Sequence, residues 1–201
     1  MVQHFRPAIV LIVLMTLLTG VIYPFAIMGF ANVVFPHRAG GSMIVRDGTV
    51  IGSSLIGQNF TSDKYFHGRP SATNMPDPND STKTVDAPYN AANSSGSNLG
   101  PTSQALVDRV KGDIESWRKE GVTSPIPADA VTTSASGLDP HISPAYALLQ
   151  VARVAKARNL PEDKVRALVM GAVEARALGI IGEPRVNVLE LNLALDGLAA
   201  G

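Results

Sequence analysis

Residues Pro7 to His37 read PAIVLIVLMTLLTGVIYPFAIMGFANVVFPH. These thirty-one residues include no Lys, Arg, Asp or Glu, and the rest of the chain has no second run of this kind. A bilayer core about 30 Å thick needs roughly 20 apolar residues at about 1.5 Å each. Ala8 to Phe30 is twenty-three residues long, and its apolar residues are interrupted only by Thr16, Thr19, Gly20, Pro24 and Gly29. The stretch predicts one transmembrane helix at 7–35, which follows a short tail at 1–6 and carries an outboard domain at 36–201.

The predicted span contains one helix-breaking residue. Pro24 lacks an N–H and presses on the carbonyl of Gly20, whose missing side chain limits the crowding. Thr16 and Thr19 lie about one turn earlier and can bond freed backbone groups. We therefore expect a kink at Gly20 and Pro24 rather than a break.

Two alternatives concern the ends of this span. Arg6 precedes the apolar run, and Gly29-Phe30-Ala31 has the small-residue spacing that signal peptidase reads, so a cleaved signal peptide competes with a retained anchor. A typical signal core has about 7 to 15 apolar residues, which favours the anchor here. The six-residue tail at 1–6 is easier to leave on the cytoplasmic side of the membrane than the long domain at 36–201. We expect the domain to be extracytoplasmic.

Charge and cysteine content narrow the classes of function. With Arg6 set aside, sixteen basic residues face seventeen acidic ones, so nothing resembles the basic footprint of a nucleic-acid-binding protein. The chain has no Cys, and its four His residues show no ligand spacing, so we expect no metal site. A single membrane helix cannot enclose a solute pathway, which excludes a channel formed by this chain alone.

The outboard domain is predicted to be α+β, with a β-hairpin and about four helices. Asp47-Gly48 between two β-rich runs is typical of a type I′ hairpin turn. Helices are expected at Thr102 to Glu120, from Ser143 to about Arg158, and from Pro161 onward. Val186 to Leu195 alternates like a strand, but Asn187 and Glu190 match a capping box and favour a last helix.

A Pro/Asn/Ser-rich loop is predicted at 69–100. It has few large apolar residues, and five prolines fall between Pro70 and Pro101, so it cannot build a core of its own. Loops of this length are either functional or disordered. Its composition favours a mobile loop, while the aromatic residues at its borders favour an ordered surface loop that docks on a partner.

No enzyme signature is complete. The chain has no G-x-x-x-x-G-K-[ST] motif and so no P-loop of its own. Ser136, Asp139 and His141 are the residue types of a hydrolase triad, but at this spacing local turn and cap bonding explains them better. Small-residue loops precede two predicted helices and are open to an anion-binding interpretation, which the charge of Asp139 opposes. A membrane-anchored extracytoplasmic binding module or hydrolase stays open as an alternative.

Several blocks in one order resemble the C subunit of the Kdp potassium-transporting ATPase, and the likeness runs from end to end. The blocks are Gly57-Gln58, Tyr65 to Ala72, Ser94 to Pro101, Ser134 to Ser143, Gln150 with Arg153-Val154-Ala155, and Gly182 to Leu189.

The resemblance implies a non-catalytic accessory subunit of a high-affinity, ATP-driven potassium importer in the bacterial inner membrane. Its implied partners are a channel-like potassium-binding subunit, a P-type ATPase subunit and a small membrane peptide. The implied role is assembly of the complex and action as a catalytic chaperone that raises the ATP affinity of the pump subunit. ATP is thus an implied ligand of the complex, although this chain has no nucleotide motif of its own.

The resemblance also implies two sets of site residues. In the family, the loop from Ser134 to Asp139 is likened to the signature of ABC transporters. Its implied nucleotide or partner contacts are Ser134, Ser136, Gly137, Asp139 and Gln150. Candidates for partner docking are Tyr65, Arg69, Ser97 and Asn98.

Direct contact with ATP would conflict with an extracytoplasmic position of the domain. About 30 Å of hydrocarbon separates an extracytoplasmic domain from cytoplasmic nucleotide. Any effect on nucleotide affinity would therefore be transmitted through partner subunits, typically as about 1 to 3 kcal/mol of coupling free energy. We expect the domain to contact the channel-like subunit near the potassium entrance.

Overall fold

The computed structural model describes residues 2–199, which divide into two compact units between Ser53 and Ser54. The first unit holds one long helical stretch and one β-hairpin, and the second holds the remaining strands and helices. Mixed helices and strands behind a single N-terminal apolar helix confirm the predicted fold class.

The first unit begins with an uninterrupted helical stretch over Phe5–Val34, and within the described residues it is the one helix long and apolar enough to cross a membrane. Its 30 residues correspond to about 45 Å, more than the hydrocarbon core requires. Its large apolar side chains are exposed. The stretch comprises α1 (Phe5–Leu17), a π-helical segment (Leu18–Ile22) and α2 (Tyr23–Val34), followed by the short α3 (Pro36–Ala39).

The helix continues through Pro24, as the sequence predicted, rather than breaking there. Pro24 is the second residue of α2, and the π-helical turn lies directly before that helix. A π-turn and a proline are both recognised causes of helix bending, because each removes or shifts a backbone hydrogen bond. The Thr19 hydroxyl donates to the Met15 carbonyl at 2.7 Å. Its acceptor lies five residues before Gly20, whose carbonyl cannot receive the usual α-helical hydrogen bond from Pro24.

The first unit ends in the predicted hairpin, formed by β1 (Met43–Arg46) and β2 (Thr49–Ser53). Asp47 and Gly48 both have left-handed φ angles, 52° and 77°, as a type I′ turn requires. The register shifts between Ile44 and Val45, which marks a bulge in the antiparallel pair.

The segment at 69–100, which the sequence predicted to be a loop, either mobile or ordered for docking, contains regular secondary structure. Within it, β3 (Asn74–Asp77) and β4 (Asp80–Asp86) form an antiparallel hairpin. The Asp77 carboxylate accepts a hydrogen bond from the Asn79 N–H at 2.8 Å and so closes the turn. Periodicity could not reveal this hairpin, because nearly all of β4 is exposed and no alternating apolar face is needed.

Helix positions in the second unit agree with the sequence analysis, with one difference. The Ser143 hydroxyl accepts a hydrogen bond from the Tyr146 N–H, and the Asn187 side chain accepts one from the Glu190 N–H, so both predicted caps are confirmed. The predicted helix after Ser143 is divided at Gln150 into two segments. The helices are α4 (Gln104–Lys119), α5 (Pro144–Leu149), α6 (Val151–Arg158), α7 (Glu162–Gly171) and α8 (Val188–Ala199).

A small antiparallel sheet precedes the last helix. Its strand order is β5 (His141–Ile142), β7 (Arg185–Asn187) and β6 (Val173–Glu174). Val186 lies in the central strand, opposite Ile142 on one side and Val173 on the other. The stretch that looked both strand-like and helical in the sequence is therefore a short strand that runs directly into α8.

The core of the second unit lies among α5 to α8 and the small sheet. Phe66 is fully buried in it, although Phe66 belongs to no strand or helix. An irregular segment can enter a core only if its backbone polar groups find partners. The fully buried apolar side chains include Phe66, Val154, Val165, Val169, Val186, Leu191 and Leu195.

Asn192 supplies those partners for Phe66. Its side-chain oxygen accepts from the Phe66 N–H at 2.8 Å, and its side-chain nitrogen donates to the Phe66 carbonyl at 3.0 Å. Asn192 is 2% exposed, so neither backbone group could turn to water if the amide were lost.

We expect Asn192→Leu to lower the free energy of unfolding by roughly 2 to 5 kcal/mol, since two buried backbone groups lose their partners at about 1 to 3 kcal/mol each. The only Trp, Trp117, is buried and reports urea unfolding of the full chain in detergent. Asn79→Ala, in the exposed hairpin turn, is the matched control, with a change within about 0.5 kcal/mol. Equal unfolding midpoints for the two variants would contradict this account.

Candidate functional site

The Ser134–Asp139 loop lies where several distant stretches of the second unit meet. The Ser134 N–H donates to the Pro70 carbonyl at 2.9 Å, and the Gly57 N–H donates to the Leu138 carbonyl at 2.9 Å. The Ser71 hydroxyl donates to the Gly137 carbonyl at 2.8 Å, and the Ser94 hydroxyl donates to the Ser136 carbonyl at 2.9 Å. Four of the blocks that carry the family resemblance therefore form one connected structure.

Hydroxyl groups within the loop bond to the loop itself. The Ser136 hydroxyl accepts from the Leu138 N–H at 3.1 Å and lies 3.3 Å from the Ser134 hydroxyl. The Asp139 carboxylate accepts from the His141 backbone N–H at 3.0 Å. This is the local turn bonding that the spacing of Ser136, Asp139 and His141 predicted, and a nucleophile, base and orienter relay does not form from it.

Glycines let the neighbouring loops approach this closely. Gly137 has a left-handed φ of 68°, and a Cβ there would lie 2.7 Å from the Ser95 carbonyl oxygen. A Cβ at Gly96 would lie 2.7 Å from the Ala135 carbonyl oxygen. Because both contacts are with backbone, neither glycine could be replaced without moving a loop.

The Tyr89 side chain packs in the same region, between Gly57 and Gly68. A Cβ on either glycine would overlap the Tyr89 side chain. The Tyr89 hydroxyl donates to the Arg69 carbonyl at 2.8 Å. Burial, reinforced by the nearby charge of Asp139, raises the pKa of Tyr89 to about 12, so the hydroxyl stays protonated and keeps donating.

Arg69 and Asp139 form an ion pair of 3.1 Å beside the loop. The Arg69 guanidinium also lies 3.4 Å from the Thr133 carbonyl oxygen. Burial opposes the ionisation of Asp139, but hydrogen bonds from His141 and Arg69 outweigh it and hold the pKa of that carboxyl below its ordinary value. Asp139 is therefore ionised at neutral pH, and its carboxylate pairs with the Arg69 guanidinium.

An open cleft of about 490 Å³ lies along the outer side of the loop. Leu55 and Ile56 give it an apolar wall, and the Arg69–Asp139 pair gives it a polar one. Exposed Ala135 and Ser136 form its rim. A cleft with this mixture of walls suits a protein segment better than a highly charged ligand.

Three N–H groups of the loop are not free to bind a nucleotide phosphate. Phosphate binding needs free N–H groups, but the Gly137 N–H donates to the Ser134 carbonyl at 3.2 Å, and those of Leu138 and Asp139 donate to serine hydroxyls. The ionised Asp139 would also repel an anion. Within residues 2–199, no group of three or more His, Asp or Glu side chains is arranged to hold a metal ion.

Gln150, the remaining implied contact, is fully buried. Its side-chain oxygen accepts from the His67 N–H and from Arg153, both at 2.7 Å, and its nitrogen donates to the His67 carbonyl at 3.1 Å. The residue holds the backbone at His67 in place, as Asn192 does at Phe66. A ligand cannot reach Gln150 in this conformation.

The four docking candidates differ in accessibility. Tyr65 is half-buried, with its hydroxyl 3.4 Å from the Asp196 carboxylate and the Arg158 guanidinium 4.7 Å above its ring. Arg69 is committed to Asp139, as described above. Ser97 is half-buried and Asn98 is exposed, with a left-handed φ of 52°. Of these four, Asn98 is the most available to a partner.

Sequence reasoning missed the residues that position the backbone of this region, above all Asn192 and Thr73. It also missed the packing of Tyr89 between two glycines. Thr73 is 1% exposed, and its hydroxyl donates to the Ala87 carbonyl at 2.6 Å and accepts from the Asn90 N–H at 3.1 Å. Asn192 lies among the leucines of the last helix, where a polar residue on an apolar face was the available signal. Nothing in the local sequence marks Thr73.

Comparison with known proteins gives one consistent result. The family model described as the c chain of K+-transporting ATPase, KdpC, matches residues 5–197. A potassium-transporting ATPase KdpC subunit of Methylobacterium nodulans is 64% identical over 199 residues, 99% of each chain. Those of Bradyrhizobium diazoefficiens and Rhodopseudomonas palustris are each 63% identical, over 100% and 98% of both chains, respectively.

We expect Gly68→Ala to destabilise the protein by about 1 to 3 kcal/mol, the usual cost of overpacking a filled site. The new Cβ would overlap the Tyr89 hydroxyl first, while the next ring atom lies 3.1 Å away. In a Tyr89→Phe background the same change should therefore cost less. Urea unfolding of the four chains in this double-mutant cycle measures the coupling.

Gly100→Ala is the control, because nothing lies within 4 Å of a Cβ there. Its unfolding midpoint should stay within experimental error of the parent. If Gly68→Ala costs the same with Tyr89 and with Phe at position 89, the hydroxyl is not the obstacle.

Proposed function

This chain belongs to the KdpC family, the c chains of K+-transporting ATPase, and on that premise we propose that it is a non-catalytic accessory subunit of an ATP-driven potassium import complex. It is needed for assembly of that complex with a channel-like potassium-binding subunit, a P-type ATPase subunit and a small membrane peptide. Through these partners it raises the ATP affinity of the pump subunit.

The observation that carries this proposal is the match of the whole chain, including the apolar helix, to relatives of the same length. Identities of 63–64% cover 98–100% of both chains. Membrane association follows from the helix over Phe5–Val34.

The local chemistry around Ser134–Asp139 supports an accessory role. The serine hydroxyls, the N–H groups of Gly137 and Leu138, and the carboxylate of Asp139 are bonded within the loop or to adjacent segments. A loop of this kind acts by shape and surface rather than by attacking a substrate. Ser136 and Asn98 are the accessible members of the implied contact residues, so a partner surface would meet the loop through them.

The domain lies outside the cytoplasmic membrane in this proposal, with the six-residue tail inside. ATP is then never a ligand of this chain, because lipid about 30 Å thick separates the two. An effect on nucleotide affinity is a coupling free energy, typically about 1 to 3 kcal/mol, carried by the partner subunits. The internally bonded Ser134–Asp139 loop agrees with this indirect route.

Purification in mild detergent tests the accessory role. We expect the tagged full chain to co-purify with larger membrane proteins, identified by mass spectrometry, that include a P-type ATPase. Purified alone, the chain should hydrolyse neither ATP nor ester and peptide substrates. Turnover by the isolated chain would favour the hydrolase alternative and overturn the proposal.

Labelling of a single introduced cysteine tests the sidedness. The chain has no Cys, and Ser81 is exposed in β4, so Ser81→Cys gives one unique reactive site. A membrane-impermeant maleimide should label it in intact cells, after permeabilisation of the outer membrane where one is present. Val2→Cys, in the tail, is the control and should react only after lysis. The reverse pattern would place the domain inside.

A further inference from the structure

An aliphatic turn projects from the second unit between β6 and β7. Leu178, Ile180 and Ile181 in this turn are 88%, 77% and 61% exposed. Within residues 3–198, no other large apolar side chain is more exposed than Leu178. Isolated exposed hydrophobic residues are ordinary, but three together at the tip of one turn call for a covering surface.

The turn is closed by its own backbone bonds. Ala177 and Ile181 exchange two N–H···O hydrogen bonds of 2.9 Å, and the Ile180 N–H donates to the Ala177 carbonyl at 3.2 Å. The shape is therefore set before any partner arrives, and little ordering entropy is lost on binding. Because the N–H groups of Ala177, Gly179, Ile180 and Ile181 are used internally, strand addition to this segment is not the mode of recognition.

Leu178 also has an unfavourable backbone conformation. Its φ is 53°, and that of Gly179 is 77°. Turn positions of this kind favour Gly, Asn or Asp, since a side chain at positive φ crowds the backbone. Leucine at position 178 is thus costly both for its conformation and for its exposure. Neither cost is offset by contacts within the described unit.

The charges at the base of the turn are paired with one another. Arg176 lies 2.6 Å from Glu183, and Arg185 lies 2.9 Å from Glu174. Residues 177–182 themselves carry no charge. Segments that bind a membrane surface combine apolar residues with excess Lys or Arg and with Trp or Tyr, and this turn has neither. A charge-depleted centre with a polar rim is instead the composition of a protein–protein contact.

We propose that the turn of residues 177–182 docks into an apolar, uncharged cleft on a larger subunit of the same ATPase complex. This inference rests on the proposed function, since it names the surface through which the accessory subunit binds. Leu178 and Ile180 are the anchors, and the two ion pairs form the rim that surrounds the desolvated centre.

The test compares two variants of the full-length tagged chain by co-purification in mild detergent. Leu178→Asn with Ile180→Ser removes both anchors, and Asn suits the left-handed turn better than Leu, so the fold is retained. We expect recovery of the larger subunits to fall at least about tenfold. Met170→Ser is the control, because Met170 is 58% exposed on α7 and lies outside the turn; its recovery should match the parent chain.

The outcomes separate this inference from the proposed function. If the parent chain recovers no larger subunit, the accessory role itself fails. If the parent and the double variant recover the subunits equally, the role stands and the docking inference is wrong. Unchanged Trp117 fluorescence in the double variant verifies that the core is intact.

A lipid occupant is distinguished by a probe in the turn. Ile180→Cys, labelled with an environment-sensitive dye, should shift to shorter wavelength only in the assembled complex. A full shift in vesicles of zwitterionic lipid that contain this chain alone would overturn the inference.

Discussion

The structure of the second unit depends on pairing the backbone of one irregular segment, residues 63–73, with side chains from elsewhere. Arg153 and Arg158 donate to the carbonyls of residues 63 to 65, Asn192 and Gln150 pair both polar groups of Phe66 and His67, and Tyr146 donates to the Gly68 carbonyl. Without these bonds the segment could not enter the core, because unpaired polar groups are costly to bury.

This segment in turn determines the position of the candidate site. Its continuation through Arg69, Pro70 and Ser71 holds the Ser134–Asp139 loop by an ion pair and two hydrogen bonds. The loop is therefore held by its neighbours, and its serines and glycine serve packing and turn formation. The resemblance implies Gln150 as a contact. In the structure it supports the loop only indirectly, because it fixes the backbone of His67 in the segment that holds the loop. Sequence blocks that resemble a family can therefore contain buried residues that support a binding surface as well as residues that lie on it.

The N-terminal apolar helix and the second unit contribute different features to the protein. The apolar helix over Phe5–Val34 associates the protein with a membrane, while the second unit carries the candidate binding surfaces. Its accessible features are a cleft with apolar and ion-paired walls and an aliphatic turn with a neutral rim. Both are suited to contact with other proteins, which agrees with membership in a family of transporter subunits.

The sequence alone determined the elements whose signals are local. The length of the uncharged run from Pro7 to His37 predicted the apolar helix. Asp47-Gly48 predicted the first hairpin, and Ser143 and Asn187 predicted two helix starts. Each of these signals lies in one continuous stretch of the chain. Contacts between distant residues were decided only by the tertiary structure. It buried Gln150 and Asn192 against residues 66 and 67, ordered the polar β3–β4 hairpin, and left Leu178 exposed. Burial and pairing depend on which segments meet in space, and no local pattern in a single sequence records that.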